Sequence, residues 1–120
     1  EDALGAVQSA LRSGIVAGGG AVYLHVAGQL ENEGGEGIVK RALLMPLRTL
    51  VRNAHQEDGY VYRHIQDKAE NTWMGWDLYK EEMVDMYELG VIDPLEVAVQ
   101  AIQTSVGVAS LLITTECAII

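Results

Sequence analysis

The residue pattern predicts a mainly α-helical fold that carries a short β-hairpin and a terminal β-strand. Apolar side chains recur three and four positions apart through most of the chain, the spacing that gathers them on one helical face. Glycine and proline fall mostly between those stretches, where they punctuate them. Phe is absent, and Ala, Val, Leu, Ile and Gly dominate a chain that is 49% apolar, a mix suited to close-packed helices rather than to an aromatic-rich sandwich. At 120 residues the expectation is one domain-sized body.

Taken in order, residues 1–13 read as a helix: acidic Glu1 and Asp2 stand in its first turn, Leu4, Val7 and Leu11 share a face, Arg12 lies near its end, and Gly14 stops it. A short apolar link over 15–17 leads to Gly18-Gly19-Gly20, a turn that opens a second helix bearing Val22, Tyr23, Val26, Ala27 and Leu30. Residues 31–37 are polar and glycine-rich and read as a surface loop. From 38 to 54, Val39, Leu43, Leu47, Leu50 and Ala54 keep helical spacing, with Pro46 forcing a kink or a break. A turn over 56–59 precedes a short helix over 60–69. Residues 71–78, with Trp73, Gly75 and Trp76, read as the hairpin. Residues 81–89 read as a helix ended by Gly90. Asp93-Pro94 then starts the last helix, Pro being suited to a first helical position. Its stripe of Leu95, Val99, Ile102, Val106, Ala109 and Ile113, with Val97, Ala101, Val108 and Leu112 beside it, predicts burial nearly all round. Residues 117–120 read as the terminal strand.

Charge and composition exclude some function classes. Seventeen acidic against eight basic residues give a net charge of −9, which repels polyphosphate backbones and anionic lipid. Neither nucleic acid nor a membrane is an expected partner; apolar runs such as 107–113 are shorter than a bilayer needs. The single cysteine, Cys117, has no internal partner for a disulfide, and its apolar neighbours suggest a buried thiol in a reducing, cytoplasmic compartment. The opening Glu1-Asp2 and the close within a strand-like run are expected of a piece of a longer protein. The surplus of apolar helical faces points to self-association or to protein partners.

Several residues are candidates for chemistry. Gly18-Gly19-Gly20 at the mouth of a helix is a phosphate-cradle candidate, since residues without side chains let a ligand approach backbone N–H groups at the positive helix end; on spacing alone a tight interhelical turn is the commoner reading. It lacks the Lys-Ser/Thr of a P-loop. Asp2 is either a water-activating carboxylate or a first-turn acid that complements the helix dipole. Asp93 is either a ligand-binding carboxylate or an N-cap. Asp77, flanked by Trp76 and Tyr79, faces a nucleobase or sits on a surface hairpin. His25, His55 and His64 have no metal-site spacing, and neither zinc nor Cys-His catalysis is expected. Lys40, Arg41, Arg48 and Arg52 are spread along one helix, where salt bridges within an acidic assembly explain them.

Read in sequence, Glu1-Asp2-Ala3-Leu4, then residues 14–21 (Gly-Ile-Val-Ala-Gly-Gly-Gly-Ala), then Pro46-Leu47-Arg48, then Gly90-Val91-Ile92-Asp93-Pro94, then residues 112–117 (Leu-Ile-Thr-Thr-Glu-Cys) resemble the chaperonin family along the whole chain. The resemblance implies the C-terminal half of the helical equatorial, ATP-binding domain, with the apical, intermediate and N-terminal equatorial parts absent. It implies an ATP-dependent molecular chaperone that assists protein folding, with ATP and Mg²⁺ in the parent chain. Its partners would be identical subunits in a ring, with unfolded polypeptide bound through the absent domains. By the same resemblance Asp2 is the catalytic carboxylate that helps activate water, Gly18 and Gly19 contact nucleotide, Asp77 and Leu78 fall at the adenine, and Asp93 holds the ribose. Bacterial-type members carry Asn-Ala where this chain has Asp77-Leu78. Residues 75–94 look like the archaeal and cytosolic branch, whereas Thr114-Thr115-Glu116-Cys117 looks bacterial. The family's Gly-Asp-Gly-Thr-Thr phosphate and magnesium motif does not occur in this sequence. The implied expectation is half a pocket, inactive alone.

Overall fold

The computed structural model describes residues 2–57, 59, 61 and 71–115, with Asp2 described by its backbone alone. Most of the helix expected over 60–69, the strand expected over 117–120, His64 and Cys117 lie outside the described residues. Among the described residues the element order is α1 (Asp2–Ser13), β1 (Ile15–Ala17), α2 (Ala21–Ala27), α3 (Gly34–Leu43), α4 (Met45–Asn53), β2 (Met74–Asp77), β3 (Glu82–Asp85), α5 (Met86–Leu89), β4 (Ile92–Pro94) and α6 (Leu95–Thr114). The fold is mainly helical, as expected. It divides into two compact units, residues 16–92 and residues 1–15 with 93–120.

The unit of residues 16–92 is built on α2, which packs against α3, α4 and β2. Ala17, Ala21 and Met86 form a buried cluster flanked by Trp73 and Val84, and Leu24, Ala27, Leu43, Leu47 and Val51 are buried with them. Each fully buried aliphatic side chain of this kind contributes about 1.5–3 kcal/mol. His25 is also buried; its Nε2 lies 2.8 Å from the Met74 carbonyl oxygen, which accepts only, so Nε2 carries the proton and ties α2 to β2. The helix opens directly at the glycine turn because Gly20 takes φ 80° and lies flush against α4: a Cβ there would sit 2.9 Å from the Leu47 amide nitrogen.

Pro46 marks a break: α3 stops at Leu43, and α4 begins at Met45 with the proline in its first turn. The expected loop over 31–37 is shorter than predicted, since α3 starts at Gly34. The Glu36 carboxylate accepts from the Glu31 N–H at 2.9 Å, and Gly37 lies against the Asn32 carbonyl with no room for a Cβ. The second helix likewise ends at Ala27, short of Leu30.

The hairpin is present but displaced. β2 pairs antiparallel with β3 in the register Met74↔Asp85, Gly75↔Val84, Trp76↔Met83 and Asp77↔Glu82, so the expected hairpin over 71–78 supplies the first arm and the turn begins at Leu78. The expected helix over 81–89 is corrected: its first half is strand β3, and only Met86–Leu89 is helical. The reason is local: the Asp85 carboxylate accepts from the Tyr87 and Glu88 N–H groups, an N-cap that fixes the helix start after the strand rather than before it.

β1 and β4 form a two-stranded sheet. The flanking bonds, Gly18 N–H to Val91 O at 3.0 Å and Leu95 N–H to Gly14 O at 3.0 Å, fall one within each unit.

In the other unit α1 packs against α6. Pro94 is the N-cap of α6, in extended backbone, and the helix begins at Leu95, one residue later than expected. Capping does not fall to Asp93. Ser13 Oγ accepts from the Glu96 N–H at 3.2 Å while donating to the Ser9 carbonyl oxygen, and the Glu96 carboxylate accepts from Ser9 Oγ and Arg12. Burial nearly all round is also corrected. Ala98 is the buried residue of α6, whereas Leu112 and Ile113 are 69% and 84% exposed. Length and composition together make α6 sufficient to cross a bilayer, which the length of its short apolar runs did not reveal.

Candidate functional site

Within the unit of residues 16–92 a cleft of about 170 Å³ opens between the glycine turn, α4, the hairpin corner and α5. Gly19, Leu47, Leu50, Trp76, Asp77, Leu78, Tyr79, Met86, Leu89 and Val91 line it. The local chemistry of each wall explains its place. Gly19 adopts φ 65°, and a Cβ there would touch Met86 Cε at 3.0 Å, so only a residue without a side chain leaves the cleft open beside Met86. Gly18 faces Val91 as closely, its Cβ position lying 3.0 Å from Val91 Cγ1, and its N–H donates to the Val91 carbonyl oxygen.

The corner of the hairpin is held by Asp77, 5% exposed. Its Oδ1 accepts from the Tyr79 N–H at 2.8 Å and the Lys80 N–H at 3.2 Å, while its carbonyl oxygen accepts from the Glu81 N–H at 2.8 Å. An Asp side chain folded onto the amides two and three residues on is a turn-forming arrangement. Of the two readings of Asp77, surface hairpin residue and base-facing residue, the hydrogen bonds put it at the hairpin turn but buried rather than on the surface, and the position on the cleft leaves room for the second. Leu78 and Tyr79 continue the same wall, Tyr79 being fully exposed at its rim.

Gln56, which the sequence did not single out, joins two walls. Its Nε2 donates to the Leu78 carbonyl oxygen at 2.7 Å, and its Oε1 accepts from Trp76 Nε1–H at 2.9 Å. Its partners lie twenty and more residues away, so no local spacing marks it.

The structure therefore brings Gly19, Asp77 and Leu78 to one cleft, with Gly18 immediately beside it. Asp2 and Asp93 belong to the other unit: Asp2 opens α1, and Asp93 is half-buried in β4. Among the described residues no group of three His, Cys, Asp or Glu side chains is placed to hold a metal ion.

Comparison with known proteins agrees along the full length. The TCP-1/cpn60 chaperonin family matches residues 1–120. A curated relative, the mitochondrial chaperonin homolog Hsp-60 of Caenorhabditis elegans, is 40% identical over 126 residues, covering 98% of this chain and 22% of that protein. A group III chaperonin crystallised in the open state superposes with a TM-score of 0.83 at 30% identity, over 92% of this chain and 25% of that one. The open-state monomer of a group II chaperonin from Methanococcoides burtonii gives a TM-score of 0.74 at 25% identity, over 84% and 28%. The chain thus spans about a fifth to a quarter of the length of these relatives.

Proposed function

The chain belongs to the TCP-1/cpn60 chaperonin family, and from that membership we propose that it is the C-terminal half of an equatorial domain, contributing one wall of the ATP pocket of a protein-folding machine. The observation that carries the proposal is the cleft in which Gly19 meets the adjacent pair Asp77 and Leu78, far from it in sequence, each of the three being expected at the nucleotide. Its largely apolar lining suits the faces of a base. At about 170 Å³ it is smaller than the roughly 300–1,000 Å³ of pockets that enclose whole ligands, consistent with holding the base while another part of the parent chain holds the phosphates.

In this reading Gly18 and Gly19 let the nucleotide approach the backbone, Asp77 and Leu78 bound the adenine, and Asp93 accepts from the ribose hydroxyls. Asp2 orients the attacking water, a positioning and electrostatic role in keeping with phosphoryl transfer. Magnesium, which neutralises phosphate charge when bound, is given no ligands among the described residues; the motif expected to hold it is absent from this sequence. The complete machine would be a ring of identical subunits in a reducing, cytoplasmic compartment, without nucleic acid or membrane as partner.

Titration calorimetry with magnesium and ATP tests the reading. Binding is expected for the full-length chain and not for the 120-residue chain alone, and Asp2→Ala in the full-length chain is expected to abolish turnover while leaving assembly intact. Tight binding by the short chain, or undiminished turnover in the variant, would overturn it. A second reading, a non-enzymatic helical self-association module, is favoured by the exposed apolar faces of α1 and α6; it predicts that Asp2→Ala changes nothing.

A further inference from the structure

We propose that Gln56 is a positioning residue that sets the width and shape of the base-binding cleft; the inference rests on the nucleotide reading of that cleft. Gln56 stands where α4 has just ended. Its own N–H donates to the carbonyl oxygen of Val51 at 3.0 Å, and Val51 is fully buried, so the Gln56 backbone is anchored to the helix whose Leu47 and Leu50 form one wall of the cleft. Its side chain reaches the opposite wall with both ends of its amide: Nε2–H donates to Leu78 O, and Oε1 accepts from the Trp76 indole N–H.

The geometry makes the two contacts interdependent. An amide can donate from one end and accept at the other, which is what a carbonyl oxygen and an indole N–H require. Glutamate keeps the acceptor for Trp76 but sets a charged oxygen against the Leu78 carbonyl. Alanine removes both bonds and leaves the buried indole of Trp76 short of this acceptor. Trp76, Asp77 and Leu78 are consecutive on the wall, and Asp77 fixes only the turn that follows it. Gln56 thus ties this wall to the end of α4 through both ends of its amide. It does so without lining the cleft itself, so it acts on a bound base only through Trp76 and Leu78.

The test uses the full-length chain carrying Trp73→Phe, which leaves Trp76 as the fluorophore within this segment, and compares it with the same chain bearing Gln56→Ala or Gln56→Glu. Two ligands are titrated, magnesium-ATP and magnesium with inorganic triphosphate, the second having no base. Because the released wall must be ordered when a base binds, Gln56→Ala is expected to weaken ATP binding about tenfold, with KM rising and kcat retained, while triphosphate affinity stays within about twofold. Trp76 emission shifts in Gln56→Ala, and Gln56→Glu, which keeps the indole partner, restores most of the emission but not the ATP affinity. Unchanged ATP affinity in Gln56→Ala, or equal loss for both ligands, overturns the positioning role. If the chain with Gln56 intact binds no ATP, the nucleotide reading falls and the inference falls with it; that result is separable because it is seen before Gln56 is altered.

Discussion

Asp77 shows how a single side chain can carry two requirements. Its carboxylate oxygen accepts from the Tyr79 and Lys80 amides, so replacing it removes a turn before it removes any contact with a ligand. Asp77→Ala is expected to speed hydrogen exchange at those two amides roughly tenfold, the effect of losing about 1.4 kcal/mol of local hydrogen bonding. Asp77→Asn keeps an oxygen in the same place and is expected to leave exchange nearly unchanged. Equal exchange in all three chains would mean that the turn does not depend on the side chain. The pair also separates structure from function: an affinity change in Asp77→Asn reports charge beside the base, whereas one in Asp77→Ala mixes that with a loosened corner. The sequence marked Asp77 through its aromatic neighbours but could not show the turn, because a two-residue reach from side chain to backbone leaves no periodic trace. Gln56 left less still, since its partners come from the other side of the unit.

At the scale of elements, the glycine turn is where packing and conformation coincide. Gly20→Ala adds a Cβ 2.9 Å from the backbone of Leu47 at φ 80°, and neither the backbone of α4 nor the left-handed conformation can yield cheaply. Overpacking and the left-handed penalty together predict a loss of about 2–4 kcal/mol, read as a lowered thermal midpoint. Gly5→Ala in α1, where a Cβ meets nothing within 4 Å, is expected to raise stability by about 0.5–1 kcal/mol. A Gly20→Ala chain as stable as its parent would show that α2 and α4 are not held at this contact. Helices α1 and α2 were legible because each has an apolar face and a glycine at its end, and α4 because its apolar spacing continues past the break at Pro46. Strand β3 was not: in 81–89 the apolar residues Met83, Val84, Met86 and Tyr87 suit a helix as well as a strand, and only pairing with β2 decides. β1 and β4, three residues each, are too short to show any period and exist because each finds the other. The early start of α3 depends on the closed loop between Glu31 and Glu36, a contact outside the pattern of spacing.

For the whole molecule, the apolar surplus is the feature that the sequence stated most clearly and placed least well. Leu95 to Ile113 was read as a helix, and a helix it is, but its burial was inferred from composition, and composition cannot say which chain does the burying. Leu4, Val7 and Leu11 of α1 and Leu111, Leu112 and Ile113 of α6 are all largely exposed, far beyond what scattered surface aliphatics require. The relatives are about four to five times longer, so in them further protein is available to cover such faces. Burial against further protein and insertion into lipid are the two ways to cover such faces, and α6 is long and apolar enough for either. The two are separable. The 120-residue chain is expected to bind an apolar dye strongly and to sediment as an associated species, and Leu111→Lys with Leu112→Lys is expected to reduce both. In the full-length chain the same pair is expected to lower stability by about 2–5 kcal/mol, the scale at which an unpaired charge placed in an interior is felt. Flotation of the unaltered short chain with neutral lipid vesicles would instead identify α6 as a membrane segment, and a full-length chain indifferent to the two lysines would show that the face stays open in the parent.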